Sequence, residues 1–230
     1  MKQPLSRDLI VVEALRQLKE DGLKGMSLRK VAAALDTGPA SLYAYVDDLD
    51  ALHALVLDRA LADVDTRVST KAGWRERVFS VLESYARTLS ASPGLAQLAF
   101  GRVAVGPNAL RITETLLASL AESGVSLSTA AWAVDLLILY VTAVVAEHST
   151  GRDPVPSDGT VSRAIRGVSK AQYPWLHAAH EPMLSGTPEE RFSWAVETLL
   201  RGILQNPRGA TAPDQAVQTR PRSKPRKRSG

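Results

Sequence analysis

Met26-Ser27-Leu28-Arg29-Lys30-Val31-Ala32-Ala33-Ala34-Leu35-Asp36-Thr37-Gly38-Pro39-Ala40-Ser41-Leu42-Tyr43-Ala44-Tyr45-Val46 is the stretch on which the reading of this chain turns. Ser27 is placed to accept a bond from an orphan amide of a first helical turn, and Leu28, Val31, Ala32 and Leu35 then recur at i, i+3, i+4 and i+7. The spacing predicts a short helix with one narrow apolar stripe. Asp36-Thr37-Gly38 ends it, because Gly38 tolerates a left-handed backbone, and Pro39 opens a second helix where a missing amide hydrogen costs nothing. In that second helix Leu42 and Val46 are expected to point inward, and Ser41, Tyr43 and Tyr45 to project hydroxyls toward phosphates or base edges. Two short helices joined by a tight turn form a helix-turn-helix unit, whose second member can enter a DNA major groove. The alternative for an isolated pair is two core helices with structural tyrosines.

The order of residue types decides between these. Leu28-Arg29-Lys30-Val31-Ala32, then Ser41-Leu42-Tyr43-Ala44-Tyr45-Val46, then Leu52 set about a dozen residue types at fixed offsets within the N-terminal quarter of the chain. This pattern resembles that of the TetR family of bacterial transcriptional repressors. The resemblance implies double-stranded DNA as a partner. It also implies that Ser27 bonds a phosphate from its helix N-terminus, that Arg29 reaches a phosphate or a guanine edge, and that Tyr43 bonds the DNA backbone. Thr37, Gly38, Pro39, Ala40 and Ser41 would face the bases. Two departures from the family pattern stand out. Asp36 occupies the usual place of the turn glycine, a substitution aspartate tolerates better than most residues. Asp47-Asp48-Leu49-Asp50 brings three carboxylates to a place where the family carries a phosphate-binding lysine near Leu49.

Beyond this unit the periodicity is helical almost throughout, and no run alternates apolar with polar residues as a strand would. The expected fold is all-α. A helix-turn-helix domain is predicted over 1–47, a larger helical domain for effector binding and dimerisation over 48–206, and a disordered basic tail over 207–230. Ser6 caps a first helix to about Asp21. A longer helix from about Asp48 to Val68 buries Leu49, Leu52, Val56 and Ala60 and leaves Asp58, Asp63 and Asp65 wet; in the family it links the two domains. Further helices are predicted near 72–90, 95–103, 109–123, 126–148, 161–169, 174–179 and 187–204, with a Pro-rich loop, expected to be mobile, over 150–157. The helices from Ser126 to His148, apolar on more than one face, and from Thr187 to Leu204 are the candidates for a subunit interface; the resemblance implies a two-fold homodimer through a four-helix interface, the alternative being a central core helix without dimerisation. Polar and aromatic residues among the apolar helices are the candidates for a small-molecule effector site: Phe100, Arg102, Trp132, Asp135, Tyr140, His148, Trp175, His177 and His180. Tryptophan and tyrosine at helical spacing serve the core more often than a ligand, and His177 with His180 has metal spacing but no evident third ligand, so no metal and no cofactor is expected. The founding repressor's magnesium-tetracycline site needs a histidine near the end of the linking helix, where this chain has Asp63 and Asp65, so tetracycline is not the expected ligand.

The chain's net charge of +4 is misleading about its body. From Pro207 onward seven Lys/Arg face one aspartate, net +6, so the preceding 206 residues sum to −2. The basic excess therefore sits in a segment without the apolar residues to fold, and it predicts added sequence-independent phosphate affinity. The chain has no cysteine, which fits a reducing cytoplasm, and its N-terminal residues lack the apolar core of a signal peptide. The most apolar segment, 130–146, holds Asp135 and is shorter than the roughly 20 residues of a bilayer span, so it is expected as a buried helix with no membrane partner. No cysteine nucleophile, Gly-rich phosphate loop or GxSxG elbow points to catalysis. The expected function is a ligand-released repressor on a palindromic operator. The alternatives are a helix-turn-helix activator or nonspecific DNA binder without a ligand and, more distantly, an all-α enzyme.

Overall fold

A computed structural model describes residues 4–67, 72–102, 104–149 and 159–208. Among them eleven α-helices and one 3₁₀ turn, Leu23–Gly25, follow in order, with no strand. Helix α1 (Arg7–Asp21) starts where the Ser6 hydroxyl accepts the Leu9 amide at 3.2 Å, and it buries Ile10, Val11, Ala14 and Leu18. Helix α2 (Leu28–Ala34) is capped by Ser27, which accepts the Lys30 amide at 3.3 Å; Val31 and Ala32 are wholly buried. The turn after it differs from the sequence reading. The left-handed residue is Asp36 (φ 52°), not Gly38, which is extended (φ −82°, ψ 149°). Helix α3 (Pro39–Leu42) is also shorter than predicted, although the Val46 amide still donates to the Leu42 carbonyl at 3.0 Å, so the helical winding runs on for a turn.

Helix α4 (Leu49–Leu61) begins at Asp48, whose Oδ1 accepts the Ala51 amide at 2.7 Å, and ends well before the predicted Val68. Residues 62–64 follow in tight turns closed by i to i+3 bonds. Helices α5 (Trp74–Ser90), α6 (Pro93–Phe100), α7 (Pro107–Ala121) and α8 (Leu127–Ser149) form the body, with α8 at its centre against α5, α6 and α7. Their buried faces merge with α1 and α4 into one core. Helix α8, at 23 residues, is long and apolar enough to cross a bilayer, so the length argument against a span fails. What makes it a core helix here is packing: Ala130, Ala133, Leu137 and Val141 are fully or almost fully buried between its neighbours.

Helices α9 (Thr160–Arg166) and α10 (Pro174–Leu184) bury no side chain and touch chiefly each other. Helix α11 (Pro188–Gln205) starts with the expected N-cap and first-turn proline, closed into a capping box by Thr187 and Glu190, and lies along α8. The direction of α5 gives the molecule two poles. Its first turn meets the end of α7 through the Arg77–Glu122 pair, and just beyond its C-terminus Ser92 donates to the Leu18 carbonyl of α1 at 3.4 Å. Residues 4–46 thus lie at one pole and the α7–α8 corner at the other. At that second pole the Arg208 amide donates to Thr129 Oγ1 at 2.8 Å, so the described chain ends far from α2 and α3. The loop predicted over 150–157 and the tail beyond Arg208 lie outside the described residues.

Candidate DNA-reading unit and effector grooves

The four-residue helix α3 is held by a single anchor, Leu42, which is fully buried, with Val46 behind it. With Leu42 inward, the 100° step of a helix aims Ala40 and Ala44 outward and sets Ser41 and Tyr43 on the flanks. Gly38, Pro39, Ala40, Ser41, Tyr43 and Ala44 are all exposed, Tyr43 at 56 %. Thr37 is half-buried, its amide donating to the Ala32 carbonyl at 3.0 Å. Ser27 accepts the Lys30 amide, which leaves its own O–H to donate outward, and Arg29 and Lys30 are exposed beside it. Arg29, Pro39, Ala40, Ser41 and Tyr43 are thus exposed on the packed α2–α3 pair at the first pole, with Ser27 half-buried at the start of α2. Tyr45 does not join them. Its hydroxyl donates to the Leu5 carbonyl at 3.0 Å while Arg7 Nε donates to the Tyr45 carbonyl at 3.0 Å, so this ring ties the start of the chain to the end of α3.

The acidic run beside α3 also has internal work. Asp48 caps α4, and Asp50 is paired with Arg102, a residue expected in an effector pocket that instead bridges the end of α6 to the linking helix. His53, one turn along, is buried with neither ring nitrogen hydrogen-bonded. Burial holds its imidazole below the ordinary range, the Arg102 guanidinium adds to this, and Asp50 opposes it.

Asp58, expected in water, is buried at the junction of α4 and α7. Its Oδ1 accepts the amides of Asn108 and Ala109, each at 3.0 Å, and its Oδ2 accepts Asn108 Nδ2 at 3.0 Å. A carboxylate on one helix thereby caps another, with the helix dipole in its favour. Gly106 makes room for it, since a Cβ there would fall 2.1 Å from Asp58 Cγ. Arg111 adds a second tie by donating to the Val64 carbonyl at 3.1 Å.

The residues expected at an effector site do not converge. Phe100 and Trp175 are exposed, Trp175 at 86 %, and Tyr140 is half-buried against the core. His177 faces His180 across 5.7 Å between ring centroids, and no cluster of three possible metal ligands occurs among the described residues. Trp132 and Asp135 line a groove of about 610 Å³ between α8 and the end of α11, where the Arg208 guanidinium stacks 3.4 Å from the Trp132 ring centroid. His148 lines a different groove, of about 550 Å³, with Glu83 and Arg87 of α5, Val144 of α8, and Pro188 and Phe192 of α11. Its Nδ1 is turned to the Val144 carbonyl at 2.6 Å. Arg87 and Phe192 were not among the expected residues, because only the meeting of α5 with α11, about a hundred residues on, makes them neighbours.

The C-terminal domain of tetracycline-repressor-like proteins matches residues 69–206. An HTH-type transcriptional regulator of Saccharopolyspora erythraea is 30% identical over 204 residues, covering 88% of this chain and 86% of that one. The HTH-type transcriptional repressor DrrR1 of Streptomyces coeruleorubidus is 28% identical, covering 92% and 83%. The apo structure of ActR from Streptomyces coelicolor superposes with a TM-score of 0.80 at 33% identity, covering 88% of this chain and 98% of that one. ActR has also been solved with actinorhodin bound. The exposed helix-turn-helix at one pole and the all-helical body thus have close counterparts across nearly the whole chain, and the protein belongs to the TetR family of transcriptional regulators, DNA-binding proteins rather than enzymes.

Proposed function

We propose that the chain is a homodimeric repressor that reads a palindromic operator through residues 27–43 and releases it when a small molecule binds the body. The observation that carries the reading is helix α3: one buried anchor, Leu42, holds an otherwise exposed face, with Ser27, Arg29 and Tyr43 placed around it for phosphates. Residues 1–47 act as the reading domain, 48–206 as the effector and dimer domain, and 207–230 as a basic tail.

The dimer forms through α8 and α11. Trp132, Leu136 and Leu139 recur at i, i+4 and i+7 on α8 and are exposed in one chain, next to Ile203 of α11. A second copy covers that stripe and sets two α3 helices about one DNA turn apart.

The effector sits in the groove of α5, α8 and α11, with Phe192 offering a ring face and Arg87 and His148 polar contacts. Binding there displaces α5 with the helices packed against it, α6 and α7, and so acts on α4 through the Arg102–Asp50 pair at the end of α6 and the Asp58 cap on α7, changing the separation of the reading helices. An effector achieves this only by binding the released state more tightly. Like other regulators of bacterial genes, the protein works in the cytoplasm, where its operator is.

Actinorhodin, the compound bound by ActR, is the first effector to try. Added to the protein on DNA from upstream of its own gene, an effector of this kind lowers DNA affinity, and Phe192→Ala blunts the response. A panel of ligands that bind the body yet leave DNA affinity unchanged contradicts ligand-controlled release.

A further inference from the structure

The surface that α3 presents contains none of the side chains that read bases by paired hydrogen bonds. From Thr37 to Val46 there is no Arg, Lys, Asn or Gln. Those four supply the bidentate contacts to guanine and adenine in the major groove. The hydroxyls are few and partly committed: Tyr45 is bonded to Leu5, Thr37 is half-buried, and Ser41 and Tyr43 lie on the flanks. What points directly away from Leu42 is apolar and small: the methyl groups of Ala40 and Ala44, with the Pro39 ring one position before. Gly38, with nothing within 4 Å of where its Cβ would be, adds no side chain of its own ahead of the Pro39 ring.

A small apolar surface in the major groove has one favourable base edge to meet, the C5-methyl group of thymine. We infer that this protein reads its operator chiefly through thymine methyl groups packed against Pro39, Ala40 and Ala44, so that the bases under α3 are A·T pairs with thymine on the strand facing these residues. Hydrogen-bond readout by α3 is confined to single contacts from Ser41 and Tyr43, with Arg29 of α2 serving a phosphate. The acidic run at Asp47, Asp48 and Asp50 supplies no compensating cation beside α3. The inference rests on α3 being the reading helix.

The test uses the full chain and duplexes it selects from a random-sequence pool, because the operator is unidentified. The selected duplex is remade with deoxyuridine for thymidine at each position in turn, which removes one methyl group and leaves every hydrogen-bonding edge intact. The inference predicts selected cores rich in A·T pairs and a loss of affinity of roughly fourfold for each contacted methyl, from the transfer energy of a buried carbon. It also predicts that Ala40→Gly abolishes that discrimination at its own position. Selected duplexes that bind equally well with uracil, or whose α3 contacts fall on G·C pairs, overturn the methyl readout and leave the reading helix standing. Failure to select any sequence overturns both.

Discussion

At Asp36 the backbone enters the left-handed region with φ 52°, and no other non-glycine residue among the described ones does so. Replacing it with the β-branched valine is expected to cost about 1–2 kcal/mol, whereas Asp36→Gly leaves stability level or slightly improved. Denaturant midpoints of the two variants check this. Two tyrosines two residues apart separate reading from scaffolding. Tyr43→Phe should lower DNA affinity with little change in stability, because its hydroxyl faces outward. Tyr45→Phe should cost about 1 kcal/mol of stability, because it strips the Leu5 carbonyl of its donor, with less effect on DNA contacts. Much of this unit was legible in sequence: the Ser27 cap, the Leu42 anchor and the Pro39 start all follow from local rules. The fate of Tyr45 was not, because the group that claims its hydroxyl is 40 residues away along the chain.

Helix α4 is where local rules were weakest and where the two halves of the molecule meet. Asp58 has the spacing of a solvent residue beside Asp63 and Asp65, and only the arrival of the α7 N-terminus turns it into a cap. Arg102 likewise looks like a pocket residue until α6 brings it to Asp50. Asp58→Ala is predicted to cost about 2 kcal/mol, since it leaves two amides and the Asn108 side chain without their charged acceptor. Gly106→Ala should match it in direction by pushing the carboxylate away. Thermal unfolding measures the loss. DNA affinity in the presence of effector then shows whether the release response weakens with it, as expected if α4 carries the signal. On α8, Leu136→Glu and Leu139→Glu each place a charge in the proposed subunit seam and should weaken self-association roughly thirtyfold or more. Sedimentation equilibrium reads that directly, and an unaltered dimer would move the interface elsewhere.

For the whole molecule, charge and pH distinguish the body from its tail. His53 is buried without hydrogen-bond partners and its imidazole is held below the ordinary range. As pH falls through about 6.5 the unfolded chain takes up a proton there that the folded chain resists, so stability declines below that pH. A His53→Leu variant should flatten this part of the profile, measured as denaturant midpoints at pH 7.5 and 5.5. The basic excess lies from Arg208 onward, and the described chain leaves the body at the pole opposite α3. Deleting residues 207–230 should flatten the salt dependence of DNA binding while preserving the selected sequence. The all-helical plan was legible from periodicity alone, while the two-pole arrangement depended on pairings such as Arg77–Glu122 that no local pattern announces.

The most direct test of the central claim, that residues around α3 read a specific DNA sequence, is a gel shift of the full chain with the DNA upstream of its own gene, in moderate salt and excess nonspecific competitor. The prediction is a discrete, competitor-resistant band that Tyr43→Ala and Arg29→Ala each weaken by about 1–3 kcal/mol without loss of fold. Diffuse binding that competitor removes, or a band indifferent to both substitutions, would contradict it.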